Sequence, residues 1–427
     1  MSDVTAFHAP IGTHDVLSPQ SGRWEYLIAT FAGFAHRYGF ALAITPVFEE
    51  VGVFHRGIGE QSDVARKEMY VFTDRGERTY ALRPEGTAPI VRAFIQHQPT
   101  TPFKAWYFTP AFRYERPQAG RYREHHQLGV EVLGTDDPSL DVEVVTLAYR
   151  FYQALGLRQF RLQLNSMGHL ECRAAYVELL LEHLAAHESE LCDEHQKTWR
   201  ENPLRVLDCK NPACVAVTEK GPMLLDHLCE DCAAHFASVR SRLAVLDVTY
   251  EINPRLVRGF DYYARTTFEF VSDALESAQN AIGGGGRYDR LVEQLGGKPT
   301  SGIGFGSGVE RLLLALDAEG IPAKSPFGEM DVFVVDTTGE DVATPLCDQL
   351  RAAGIATDRA YDARSMKAQM KVADKSGARF ALLVGPEEYA LGEVTIRDLR
   401  SADHSQVQRR VALTEVVATI AQLRQVK

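Results

Sequence analysis

The chain has 427 residues, 45% of them apolar, and a formal net charge of −11, enough material for two or three domains around a sizeable buried core. The acidic balance excludes non-specific nucleic-acid binding by the whole surface but leaves room for a local basic footprint. No leader-like start and no bilayer-length apolar run are found, so a cytoplasmic protein without a membrane partner is expected, its seven cysteines reduced or metal-bound before disulfide-bonded.

In chain order, Arg23–Tyr38 places Trp24, Leu27, Ile28, Phe31, Phe34 and Tyr38 on one helical stripe that Gly39 closes. Phe40–Phe48 is extended but broken by Pro46, which has no N–H for a central ladder. It reads as an edge, a bulge or a contact with another subunit. His55–Met69, polar and glycine-bearing, is expected to be a loop. Glu77–Leu82 reads as a strand leading into Arg83-Pro84-Glu85-Gly86-Thr87, where the backbone turn fixes Glu85 and Thr87. A helix start before the apolar run Ala88–Ile95 fits the same residues equally well.

Phe103–Glu115 and His126–Leu133 predict two antiparallel strands, joined by a basic loop that Pro117 and Gly120 break. Alternation puts Leu128, Val130 and Val132 on one face and Gln127, Gly129 and Glu131 on the other. Such a polar row either meets water or lines a polar pocket. Arg113 and Glu115 share a face of the first strand. Ser139–Leu155 predicts a helix, and residues 168–246 predict an inserted helical module of long charged segments, holding six of the seven cysteines. The β pattern returns at Val248. It runs through Arg258-Gly259-Phe260-Asp261-Tyr262-Tyr263, Thr266–Val271 and Gly283–Gly286, then Arg287-Tyr288-Asp289. Glycines at 302, 304, 306 and 308 lead to Glu310-Arg311 and the apolar helix Leu312–Leu316. Beyond Pro322, strands at Asp331–Val335, Ile355–Arg359, Arg379–Val384 and Glu393–Leu399 alternate with helices, the last near Leu413–Leu423. That is a small α/β domain able to fold alone.

Neither G-x-G-x-x-G nor G-x-x-x-x-G-K-[ST] occurs, which disfavours a dinucleotide fold or a P-loop. The alternating glycines suggest either a flat ligand close against the backbone or a bulged strand turning tightly into a helix. Arg311 in the first helical turn opposes the helix dipole and is better explained by an anion, such as a nucleotide triphosphate, than as a helix stabiliser.

Tyr38-Gly39-Phe40 through Thr45-Pro46, Arg113-Tyr114-Glu115 with the loop to Gln127, and Gly304-Phe305-Gly306-Ser307-Gly308-Val309-Glu310-Arg311 together resemble the three motifs of class II aminoacyl-tRNA synthetases. Arg83–Thr87, Leu256–Tyr263 and Gly284–Asp289 are similar to the segments specific to the histidyl-tRNA synthetase family, and the resemblance covers nearly the whole chain. It implies an α+β catalytic domain over 1–325, an antiparallel sheet flanked by helices with the helical insertion inside it. An α/β anticodon-binding domain would follow over 329–427. It further implies a homodimer that uses ATP and Mg²⁺ to join L-histidine to tRNA(His). By matching motif, Arg113 holds the α-phosphate and Arg311 the γ-phosphate side of ATP, with Glu115 beside the nucleotide. Glu85, Thr87 and Gln127 receive the ammonium group. Glu131 and Tyr263 read the imidazole nitrogens, Gly129 leaves room for the ring, Tyr262 lines the pocket, and Arg258 assists the carboxylate–phosphate step. Phe260, Ala264 and Arg265 depart from common family residues. Flanking arginines suit the reaction, because carboxylate attack on the α-phosphate gathers negative charge. Buried polar groups suit selection of a ring with two nitrogens.

The resemblance also assigns Arg116 and Gln118 to the tRNA acceptor end. Arg364, Lys367, Lys371 and Lys375 follow helical spacing, with Arg359 and Arg379 flanking and Asp362 and Asp374 opposing. On an otherwise acidic chain they read as a phosphate footprint or as a solvated helix face, and the resemblance, which places them in an anticodon-binding domain, favours the first. Cys192-x-x-His195, Cys209-x4-Cys214 and Cys229-x-x-Cys232 have zinc-like spacings. The family needs no metal here, so free cysteines are the expectation, with a structural Zn²⁺ on Cys209, Cys214, Cys229 and Cys232 as the alternative. The rival function is a non-catalytic, histidine-binding regulatory paralogue of ATP phosphoribosyltransferase. Such paralogues typically lack the C-terminal domain and the histidine-specific arginine, and this chain keeps both.

Overall fold

A computed structural model describes residues 6–59, 62, 64–260, 262–275, 280–325, 330–361, 364–401 and 408–425. Asp261 and Asp362, named above, lie outside the described residues. Two compact units divide the chain at Lys324/Ser325.

In the first unit an eight-stranded sheet runs in the order Ala41–Leu42, Phe103–Phe112, Glu124–Leu133, Gly302–Gly308, Ala281–Tyr288, Ala264–Ser272, Phe160–Ser166, Glu251–Ile252. The interior pairings are antiparallel, and the two-residue edge strands pair parallel to their neighbours. One face carries Leu128, Val130, Val132, Phe268, Phe270 and Phe305. Helices Gln20–Arg37, Pro138–Ala154 and Val309–Ala318 cover it with Leu27, Phe31, Phe151, Tyr152, Leu312 and Leu316. Burying such side chains contributes roughly 1.5–3 kcal/mol each, so this face is closed to function. Sheet alternation then commits Gln127, Gly129 and Glu131 to the other face.

The extended segment after the first helix divides around Pro46. Ala41–Leu42 forms the sheet edge, and Phe48–Glu50 joins a small sheet with Thr79–Leu82 and Val71–Thr73. Arg83 is buried and ties these pieces together, donating to the carbonyls of Pro110 (2.7 Å), Thr45 (3.0 Å) and Pro46 (3.1 Å). The segment expected to be a loop from His55 instead begins inside a helix, Val51–Ile58, followed by a π-helical turn, Val64–Glu68. Buried Phe54, Ile58 and Val64 outweigh the glycines and β-branched residues that argue against helix there.

Within residues 168–246 only the first and last helices, Leu170–Ala186 and Glu230–Val245, are long. Between them stand His195–Thr198, Leu204–Leu207 and Pro212–Thr218. The expectation of long segments throughout fails because Pro203, Pro212 and Pro222 interrupt the middle. The last helix is fastened to the large sheet and its covering helix through a buried charge network. His235 Nε2 lies 3.1 Å from Asp141 Oδ1, and Arg287 pairs with the same carboxylate.

The second unit has a five-stranded sheet in the order Thr357–Arg359, Val332–Asp336, Phe380–Val384, Glu393–Asp398, Gln408–Ala412. The first three strands are parallel and the last two antiparallel. Gln408–Ala412 is a strand the sequence reading missed, and the final helix follows it at Val416–Gln425. No helix among the described residues is long and apolar enough to cross a membrane.

Candidate active site

A cavity of about 730 Å³ opens on the polar face of the large sheet, within the size range of small-molecule sites. Its lining includes Glu85, Thr87, Arg113, Glu115, Gln127, Arg258, Tyr262, Tyr263 and Arg311, drawn from five separate sequence segments.

Glu85 is buried at the start of helix Thr87–His97, where its carboxylate accepts from the backbone N–H of Thr87 (2.5 Å) and Ala88 (2.8 Å). The turn and the helix start are therefore one structure, with the acid at the positive helix end. Burial raises the pKa of Glu85, and the backbone donors oppose that rise.

Glu131 lies one layer below the lining, fully buried. It accepts from Thr87 Oγ1 (2.7 Å), Tyr288 Oη (2.6 Å) and, more weakly, Tyr107 Oη (3.3 Å). Desolvation pushes its pKa up to about 8 against these hydroxyl donors. The register explains the fit. Glu131 pairs across the ladder with Gly304, and a Cβ at 304 would stand on the Glu131 carboxylate. Gly129 does not leave room for a ligand as the sequence suggested. Its cross-strand partner Tyr107 fills that space and also packs against Gly86, where a Cβ would come within 2.5 Å of the ring. Of the four alternating glycines, 302 and 304 are covered by Tyr288 and Glu131, while 306 and 308 stay open and line the cavity. The row carries no bulge, since its ladders keep register from 302 to 307 on one side and from 302 to 308 on the other, but it does pass directly into helix Val309–Ala318.

The three arginines are held by backbone or acid partners at the cavity wall. Arg113 Nε donates to Pro84 O (2.9 Å), and its guanidinium lies 5.6 Å from the Phe260 ring centroid. Arg311 donates to Ala281 O (3.0 Å) and Gly120 O (3.3 Å), and Gly120 turns the loop there at φ 71°. Arg258 Nη1 donates to Glu269 Oε2 (2.8 Å), its guanidinium lies 5.4 Å from the Tyr263 ring centroid, and its buried Nε has no hydrogen-bond partner among the described residues. Gly284 permits this approach, since a Cβ there would sit 2.7 Å from Arg258 Nη1. Burial disfavours charge on Arg113 and Arg311, so each gains from an anion entering the cavity. Burial, with Arg113 nearby, drives the pKa of His125 well below its usual value and keeps that ring neutral.

The first hairpin strand ends at Phe112, so Arg113 and Glu115 do not share a strand face as expected. Glu115 N instead bonds back to Arg113 O (2.8 Å) in a tight turn, and Glu115 is ion-paired with Arg121. Arg116 and Gln118 are exposed on the connecting loop, outside the cavity lining. Tyr262 and Tyr263 are both buried with ring centroids 4.6 Å apart, and both line the cavity.

The histidyl-tRNA synthetase family model matches residues 12–312, and an anticodon-binding-domain model matches 329–423. The histidine–tRNA ligase of Moorella thermoacetica is 47% identical over 93% of this chain and 95% of its own length. That of Rhodococcus erythropolis is 47% identical over 99% of both. The chain belongs to the histidyl-tRNA synthetase family. A crystal structure of the apo histidyl-tRNA synthetase of Staphylococcus aureus superimposes with a TM-score of 0.80 at 33% identity, covering 97% of this chain and all of the other. A Bacillus halodurans protein titled an ATP phosphoribosyltransferase regulatory subunit/histidyl-tRNA synthetase shares the fold, with a TM-score of 0.66 at 19% identity. End-to-end ligase relatives give this chain the enzymatic function of the family, an aminoacyl-tRNA ligase, over the regulatory one.

Within that family frame, Tyr107, Tyr288 and Glu269 are the site residues the sequence reading missed. Tyr107 gave no signal in the sequence, since its pairing with Gly129 depends on register, and Tyr288 was visible only by alternation with Arg287. In the second unit, Lys367, Lys371 and Lys375 are exposed on helix Met366–Lys375, and exposed Arg364 lies just before it. Gln369 is buried on the opposite side and bonds to Asp336 and to the Arg364 carbonyl. The flanking Arg359 and Arg379 are paired with Asp341 (2.8 Å) and Asp398 (3.8 Å). The zinc alternative fails as first grouped, because Cys209 and Cys214 stand in one cluster and Cys229 and Cys232 in another.

Proposed function

We propose that the cavity activates L-histidine with ATP and transfers it to tRNA(His). One observation carries this reading. Three guanidinium groups, Arg113, Arg258 and Arg311, border the same cavity as Glu85, Thr87, Gln127 and a cluster of buried tyrosines. A cation-lined half beside a hydroxyl-lined half is the division that ATP and an imidazole require.

In the first step a carboxylate oxygen of histidine attacks the α-phosphorus. The new P–O bond forms as the bond to the pyrophosphate oxygen breaks. Arg258 and Arg113 flank this centre and stabilise the charge that gathers there, while Arg311 holds the γ-phosphate side and Glu115 stands near the nucleotide. Glu85, Thr87 and Gln127 receive the ammonium group. The ring is read through hydroxyls. Glu131 fixes the hydroxyls of Thr87, Tyr288 and Tyr107, which face the ring as its hydrogen-bond partners. Tyr263 serves the second nitrogen, with Tyr262 closing the pocket. In the second step a terminal ribose hydroxyl attacks the carbonyl carbon and AMP leaves.

Magnesium, as a hard cation, takes phosphate oxygens and waters with one or two carboxylates. Glu115 and Glu269 line the cavity and supply such oxygens. Bound there, the ion would neutralise phosphate charge.

Arg116 and Gln118 on the exposed loop contact the acceptor end, and Arg364, Lys367 and Lys371 contact the anticodon. A second copy of the chain covers the edge at Leu42, Ile44, Val47 and Phe48, which are 53%, 86%, 39% and 47% exposed, and the enzyme works in the cytoplasm. Pyrophosphate exchange measured with each amino acid in turn tests the whole reading. Exchange with histidine alone is expected, and its absence would sink the proposal.

A further inference from the structure

The helical insertion has a weak reason to fold. Between Ala186 and Glu230 none of its described helices exceeds seven residues, far below the length at which isolated helices hold. Its apolar core is a small cluster around Tyr176, Leu180, Leu184, Trp199 and Val206. Modules with so small a core are commonly stapled by a disulfide or a metal. Six cysteines and two histidines stand where such staples would be. His169, Cys172, Cys229 and Cys232 form one group, and Cys192, His195, Cys209 and Cys214 form another, with all donor atoms of a group within 4.8 Å of each other.

We propose that the insertion carries two structural zinc ions, each held by three thiolates and one imidazole. The donor spacing supports this. Zn–S and Zn–N bonds of about 2.3 and 2.0 Å around a tetrahedron put neighbouring ligand atoms roughly 3.5–3.8 Å apart. His169 Nδ1 lies 3.5 Å from Cys232 Sγ, and His195 Nδ1 lies 3.2 Å from Cys192 Sγ and 3.8 Å from Cys214 Sγ. The surroundings suit thiolates. Backbone N–H groups of Cys192, Cys229 and Cys232 point at Cys214, Cys172 and Cys229 sulfurs at 3.3, 3.2 and 3.5 Å. The far nitrogen of His169 meets the Glu171 carboxylate at 3.1 Å, the outer contact that fixes the tautomer of a metal-bound histidine.

Three soft sulfurs and one nitrogen with no open position select zinc for structure rather than catalysis. The first centre clamps the two ends of the insertion, joining the start of its first helix to the start of its last. The second reinforces the small core in the middle, of which Cys214 is itself a buried member. It also sets the backbone at Leu207 and Cys209, whose carbonyls accept from Arg255 (3.0 and 3.1 Å), at the rim of the catalytic cavity.

The test is metal content of the full chain after washing with EDTA. Two zinc ions per chain are expected, one in Cys172→Ser, one in Cys192→Ser and still two in Cys347→Ser. Should the serine variants fail to fold, wild-type protein grown with cobalt decides, since two tetrahedral thiolate-bound Co²⁺ ions per chain give intense visible d–d absorption. Fewer than two metal ions in the wild type, iron in place of zinc, or a Cys192→Ser variant that keeps both ions would overturn the proposal.

Discussion

Arg258 and Arg287 come from neighbouring glycine-bearing motifs and are both substantially buried, yet they stand in opposite situations. Arg287 spends its guanidinium entirely on protein. It reaches Asp141, the carbonyls of Thr135 and Asp137, and Ser301 Oγ (2.7 Å). Arg258 makes one acid contact, leaves Nε without a partner among the described residues and lies at the wall of the cavity. A buried cation whose donors are all satisfied holds the fold together. One whose donors are incompletely used is poised for a ligand. The two motifs look equally functional as sequence, and only hydrogen-bond accounting separates them.

The sharpest way to break this contrast is to remove the acid that satisfies Arg287. Asp141→Ala leaves both Arg287 and His235 without their shared partner, and stranding a buried charge costs about 3–5 kcal/mol. Denaturant unfolding should show that loss, with the folded fraction still exchanging pyrophosphate. The opposite variant, Arg258→Ala, is expected to lower histidine-dependent pyrophosphate exchange about 100- to 1,000-fold, the range for losing one preorganised charge-stabilising donor. Its unfolding midpoint and its affinity for histidine should stay near wild type. If Arg258→Ala unfolds as readily as Asp141→Ala, the distinction between the two arginines is wrong.

Glu131 offers a subtler probe, because it is buried like Arg287 but supports groups that face the ligand. Its folded pKa of about 8 lies above that of an exposed glutamate. Between roughly pH 4.5 and 8 the folded state therefore holds a proton that the unfolded state has released, and stability must fall as pH rises through that window. Glu131→Gln keeps the shape and has no proton to lose. The stability of this variant relative to wild type should grow with pH, at a slope of at most about 1.4 kcal/mol per pH unit, and level off above pH 8. A difference that stays flat from pH 5 to 8 would show that Glu131 is ionised throughout.

Much of this site was legible in the sequence because strand alternation is strict. Gln127, Gly129 and Glu131 had to share a face, and apolar Leu128, Val130 and Val132 settled which face was the core. What the alternation could not supply was register. The loop between the hairpin strands is too long to fix pairing, so the placement of Tyr107 over Gly129 and of Glu131 over Gly304 came only with the structure. The helix Val51–Ile58 was hidden for a different reason, since its glycines and β-branched residues are overruled by what Phe54 and Ile58 bury. The cysteines carried zinc-like spacing locally. Their grouping depends on how the insertion folds back to bring Cys172 beside Cys229, which no local spacing reveals.

The smallest expected effect lies in the second unit, where Lys367 and Lys371 present charge in a third way, exposed and on one side of a helix. Exposed lysines contribute little to stability, so Lys367→Ala and Lys371→Ala should unfold like wild type. Their role would be felt only against a polyanion. Each substitution should weaken tRNA(His) binding several-fold at low salt and reduce the slope of log affinity against log salt by about one. Histidine-dependent pyrophosphate exchange, which needs no tRNA, should not change. A salt slope identical to wild type in both variants would return this stripe to an ordinary solvated helix face. A reduced slope would mean that the chain uses cations in three ways, with Arg287 satisfied in the core, Arg258 incompletely hydrogen-bonded at the cavity, and exposed lysines for tRNA.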